Sequence, residues 1–141
     1  MAEFAPALFL LFFCAMFPAI DFIGIGLSYS ACMSLTDLQL REAVKVPRSE
    51  AMSPSGGVQT IIPNNWKATV MGGMSSLIDI PQTQVTYTPG VGNVYVTVST
   101  TFNIHPVVAI PIFPQVPGLD APIVTTISHT RVLENPAFAG Q

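Results

Sequence analysis

Charge is scarce in this sequence. Five basic and eight acidic residues make up 9% of 141, against roughly a quarter in ordinary globular chains. A free chain so poor in charge exposes apolar patches that need a partner. The net charge is −3, and the basic residues Arg41, Lys45, Arg48, Lys67 and Arg131 are scattered. That excludes nucleic acid as a partner, because phosphate binding needs a concentrated basic footprint. Cysteine is limited to Cys14 and Cys32. Their spacing on one continuous helix is about 27 Å, far beyond the ~7 Å between Cα atoms that a disulfide spans. They read as small buried apolar residues, with a bridge between chains as the alternative.

Patterned chemistry is equally sparse. The two histidines, His105 and His129, have no metal-ligand neighbour at usable spacing. There is no HExxH, no paired CxxC, no Gly-x-Ser-x-Gly and no phosphate-binding loop. Asp79, Asp120 and Glu134 are too dispersed to propose an acid/base pair. The expectation is a chain that is not an enzyme and holds neither cofactor nor metal. The N-x-[ST] acceptor of N-glycosylation is also absent. Trp66 and Tyr87 read as core or sheet-surface residues, and Met16, Met33, Met52, Met71 and Met74 as gap-fillers.

What the chain has in abundance is apolar sequence at its start. From Phe4 to Ile20 nothing is charged, and apolar character runs on past Asp21 to Leu35. About 20 such residues suffice for a membrane span. A cleavable signal peptide would carry a basic start and a shorter apolar core, and neither is present before Arg41. The stretch LTDLQLREAVKV is amphipathic: Leu35, Leu38 and Val46 line one stripe, Leu40 and Val44 widen it, and Asp37, Gln39, Arg41, Glu42 and Lys45 are polar. Pro47 stops the helix. A helix from 3 to 45 is about 60 Å long, too long for a domain of this size, so its first half projects. Pro6 lies in the first turn, where a missing N–H costs little. Pro18 kinks or opens the helix, and Gly24 and Gly26 permit close approach of another helix. Glu3 and Asp21 stand five regular turns apart, on one face, about 27 Å from each other. Two acids in so greasy a run point to partners on neighbouring chains. The positive-inside rule puts the Arg41–Arg48 side in the cytoplasm, unless a basic leader preceded Met1, which is the expectation adopted here.

The remainder is β-rich and punctuated by proline and glycine. NVYVTVSTTFNI, 93–104, alternates strictly, with Val94, Val96, Val98, Phe102 and Ile104 on one face. The TPGVGN turn ties it to QTQVTYT, 82–88, as a hairpin. APIVTTISHTRVLE, 121–134, reads as the last strand, and VQTII, 58–62, and WKATVM, 66–71, as weaker strands. Residues 105–122 hold five prolines among apolar residues. They predict a long connection, too apolar for a free loop, that packs back on the domain or on a neighbour. The fold class is thus α+β: a hydrophobic and amphipathic helix over 1–46, a linker over 47–57, and a small antiparallel β domain over 58–141.

The first 45 residues resemble the TadE-like family of tight-adherence pilins and pseudopilins. The resemblance rests on Glu3-Phe4-Ala5 before a proline-containing apolar run, Asp21-Phe22 near its far end, and the LQLREA stretch at Leu38–Ala43. The proline-interrupted last 45 residues are loosely similar too. The resemblance implies a basic leader cut by a prepilin peptidase and a helix that sits in membrane lipid before assembly. It further implies extrusion by inner-membrane pilus machinery into a surface filament of like copies. Glu3 matches the family's glutamate near the mature N-terminus, and in an assembled filament its carboxylate is expected to pair with the N-terminal amine of an adjacent subunit. The candidate assembly residues are therefore Glu3, Phe4, Pro18, Asp21, Gly24 and Gly26. A membrane-anchored minor pseudopilin, adhesin-like, is the alternative, followed by a single-span surface protein.

Overall fold

A computed structural model describes residues 4–110 and 114–140. It is an α+β structure: one long apolar helix followed by a small antiparallel sheet. Helix α1 runs unbroken over Phe4–Ala43, 40 residues. It is regular over Phe4–Leu11 and Phe17–Ala43, and the turn between them, Phe12–Met16, is of the wide π type. Pro18 causes that opening: it has no N–H to offer, and its ring would clash with the Cys14 carbonyl in a regular turn. The Phe17 N–H reaches back to the Phe12 carbonyl instead. The helix ends where the Val44 N–H meets the Leu40 carbonyl, and Pro47 adopts an extended conformation.

The two halves of α1 differ. Nothing in Phe4–Met16 is buried. From Asp21 onward one stripe is buried: Asp21, Gly24, Ser28, Ala31, Cys32, Leu35, Thr36, Gln39, Leu40 and Ala43. Steps of three and four keep this stripe on one side, facing the sheet.

The sheet has the order β1–β2–β3, with β1 at Ile78–Pro89, β2 at Val94–Ile104 and β3 at Ile123–Val132, all antiparallel. The expected hairpin is present. The Gly90 N–H meets the Asn93 carbonyl, and Gly92 takes a φ of +78° that a side chain would strain. A register irregularity between Asp79 and Gln82 coincides with Pro81, which cannot donate to the ladder. The outer face is uncharged from the Thr88–Tyr95–Val132 row to the Gln82–Thr101–Thr126 row. Hydroxyls pair across it, Thr97 with Thr130, Ser99 with Ser128 and Thr101 with Thr126.

The inner face of β2 meets α1 in two clusters. Leu40, Ala43 and Val44 pack with Ala51, Val58, Val85, Val96, Val98 and Leu133 near the helix C-terminus. Ala31, Cys32 and Leu35 pack with Trp66, Ile78, Phe102, Ile104 and Ile127 two to three turns earlier. The chain between α1 and β1 is helical: a single turn α2 (Arg48–Ala51), a wide turn at Gly57–Ile61, helix α3 (Ile62–Lys67) and a 3-10 stretch at Met71–Leu77.

Several expectations are corrected. Residues 58–62 and 66–71 are not strands. Val58, Pro63 and Trp66 are buried at helical spacing against α1, so packing overrides the β-branched composition. The amphipathic stripe is rotated: Leu38 is exposed and Gln39 fully buried. The inward face of β2 also includes Thr100, because Gln39 spans the layer. Its amide donates to the Val58 carbonyl at 2.9 Å and to Thr83 Oγ1 at 3.2 Å, and its Oε1 accepts from Thr100 at 2.8 Å. Gln39→Leu should therefore cost about 1–3 kcal/mol, since a carbonyl and two hydroxyls lose a partner inside the core. Urea unfolding checks this, and Thr100→Val added to it should recover part of the loss. Met16, Met33, Met52 and Met71 are exposed rather than core fillers, and Cys14 is exposed whereas Cys32 is buried.

Candidate assembly surface

Three parts of the molecule bear on the expected assembly: the projecting rod, its opening at Pro18, and the point where the rod meets the domain. The rod displays Phe4, Leu8, Phe9, Leu10, Leu11, Phe12, Met16 and Ile20. Phe9, Phe13 and Phe17 stack along one side, with centroids 4.4 and 5.2 Å apart. Such a surface can shed water only by entering hydrocarbon or by packing against other apolar helices. By length and composition α1 suffices to cross a membrane.

The wide turn alters the phase between the two halves of α1. An i→i+5 turn slips the phase by one residue, about 100°. The five-turn spacing expected between Glu3 and Asp21 presumes a regular helix throughout. Glu3 itself lies outside the described residues.

Asp21 is wholly buried, and its own chain buries it. The connection after β2 folds over the helix here, and the Val108 N–H donates to Asp21 Oδ1 at 2.8 Å. Beside it, Val107 presses on Gly24 so closely that a β-carbon there would stand 2.3 Å from Val107 Cγ2. The small size of Gly24 is thus used by a loop of the same chain, not by a neighbouring helix. Gly26 has nothing within 4 Å of a would-be β-carbon and is free for an outside helix. The buried Asp21 Oδ2 and Ser28 Oγ have no partner among the described residues. The apolar connection does pack back, as its composition predicts. In the sequence, Asp21 and Gly24 standing one turn apart are the local sign of the Asp21–Val108 clasp.

This contact makes a prediction. Gly24→Ala should destabilise the chain by about 1–3 kcal/mol, the usual cost of overpacking. Val107→Ala in the same chain should restore most of it. Thermal unfolding in detergent micelles distinguishes this from Gly26→Ala, which meets nothing and should gain up to about 1 kcal/mol from helix propensity.

Charged groups cluster away from the rod. Asp37 takes both Arg41 at 2.8 Å and Arg131 at 2.9 Å. Exposed His105 meets Asp79 at 2.8 Å. Arg48 lies 5.5 Å over the Tyr87 ring; burial raises the Tyr87 pKa and Arg48 partly opposes that. No group of three or more metal-ligating side chains occurs among the described residues. Two open hollows flank β1, the larger of about 470 Å³ beside Pro63, Lys67 and Gln82. Neither gathers the pattern of acid, base and nucleophile that catalysis needs.

No family model matches the chain, and no curated protein or solved structure does either.

Proposed function

We propose that this chain is a structural subunit of an extracellular pilus-like filament, assembled through α1. The helix lies in membrane lipid before assembly. Inner-membrane pilus machinery then draws it into a filament core, where the rods of like copies cover one another and the sheet domains stand outside. The reading assigns the chain no enzymatic activity, no cofactor and no nucleic-acid partner. The observation that carries it is the rod: thirteen residues over 4–16 without one buried side chain, continuous with a helix clamped to its own domain. The TadE-like features of the sequence supply the particular class.

Electron microscopy of the purified protein tests this. Regular fibres containing only this chain are expected, and monomers released singly by detergent would overturn it. Glu3→Ala should reduce fibre yield at unchanged expression if that acid meets a neighbour's amine. Normal assembly of that variant removes the role. The second reading, a membrane-anchored minor component of such a machine, draws on one observation. Asp21 is closed off by its own loop, so one of the two acids expected to face neighbours is not on offer.

A further inference from the structure

We propose that the loop joining β2 to β3 is a second membrane-contacting element, which seats the domain on a lipid surface beside the emerging helix. The inference rests on the reading of α1 as a membrane span.

The geometry sets the height of the loop. Counting from Phe4, a helix rising 1.5 Å per residue crosses a hydrocarbon layer of about 30 Å by about residue 23. The loop touches the helix at that level: Val108 bonds Asp21, Val107 covers Gly24, and the turn at Gly118 lies against Ile25. Tilting the helix would only draw the loop deeper. Most exposed side chains there are apolar, Val107 at 46% and Val116 at 40% exposure together with Ala109, Pro114 and Pro117, and Gln115 is the polar exception. On the helix at the same level, Phe22, Ile23 and Leu27 are exposed as well, so the apolar surface of the span continues onto the domain.

Charge follows the same boundary. No residue from 106 to 119 is charged. The His105–Asp79 pair adjoins Ile104 and Ile78, which belong to the cluster that holds Ala31 and Cys32. Asp21, on the helix at this level, is capped by the Val108 N–H and hidden from lipid, whereas Asp120, nearer β3, accepts from the Gln115 N–H. An ionised carboxylate facing hydrocarbon is costly, and the loop removes it from that contact. The clasp therefore serves two ends, holding the loop at the membrane plane and covering the acid.

Depth-dependent fluorescence quenching tests the proposal with the full chain in phosphatidylcholine vesicles brominated near the headgroup or deeper in the acyl chains. Trp66 stays in place as a buried emitter that lipid does not reach. Ala109→Trp and Val116→Trp should each lose roughly half their emission to shallow bromines, as indoles resting at headgroup level do. Leu11→Trp should respond to deep bromines. Val91→Trp, at the fully exposed hairpin tip, should respond to neither. Quenching at Leu11→Trp with none at either loop position overturns the proposal and leaves the span intact. Loop emission that ignores brominated lipid but changes with the protein-to-lipid ratio overturns it in favour of a second copy. Loss of quenching at Leu11→Trp overturns both the span and the loop contact.

Discussion

Phe102→Ala is expected to cost about 3–5 kcal/mol, the usual penalty for deleting a buried aromatic side chain. Phe102 is fully buried near the C-terminal end of β2. Around it are Ala31, Cys32 and Leu35 of the helix, Trp66 of α3, and Ile78 and Ile127 of the flanking strands. The cavity would be bordered by three layers that cannot all collapse onto it. Domains of this kind hold about 5–15 kcal/mol in total, so the loss is a large share of the whole. Urea titration in detergent micelles, followed by emission of Trp66 in the same cluster, should show a much lower midpoint with little change in slope. Val91→Ala at the hairpin tip should stay within about 0.5 kcal/mol. A small effect of Phe102→Ala would mean that this cluster does not join helix to sheet. Under the proposed function, a rod packed by neighbours carries its domain only if this joint holds.

The parts of the fold that were legible in the sequence are those fixed by local period. The alternation of 94–104 reports a sheet with one wet face, and the structure buries Val96, Val98, Phe102 and Ile104. The hairpin turn is written in Gly90–Asn93, and the end of α1 in Pro47. The projecting rod follows from helix length against domain size. What escaped depends on partners distant in sequence. Gln39 looks like a surface residue until Val58, Thr83 and Thr100 surround it. Asp21 looks available to a neighbour until Val108, 87 positions away, closes over it. The helical segment before β1 was misread because its Val, Ile and Thr content favours strands, and only contact with α1 reveals that Val58 and Trp66 share a helix face.

Leu11→Arg is expected to remove the chain from membranes. Leu11 sits near the middle of the uncharged run and is exposed, touching no part of the sheet domain. Exchanging leucine for arginine at the centre of a span shifts insertion by about 3 kcal/mol or more, on the order of a hundredfold. In a filament core the same guanidinium would be buried among apolar rods without a partner, a cost at least as large. Fractionation of expressing cells, followed by vesicle flotation of the purified chain, reads the first effect, and electron microscopy reads the second. Val70→Arg is the matched control: that side chain is almost fully exposed on the domain, so a charge there should leave both membrane fraction and fibres unchanged. The urea midpoint of Leu11→Arg should equal that of the parent, because the rod contributes nothing to the core. If Leu11→Arg still floats with vesicles and still forms fibres, neither lipid nor sibling helices surround the rod. If it loses membrane binding but assembles when mixed as a minority with the parent, lipid anchoring and filament packing are separate demands on one helix, and the filament is the more tolerant of the two.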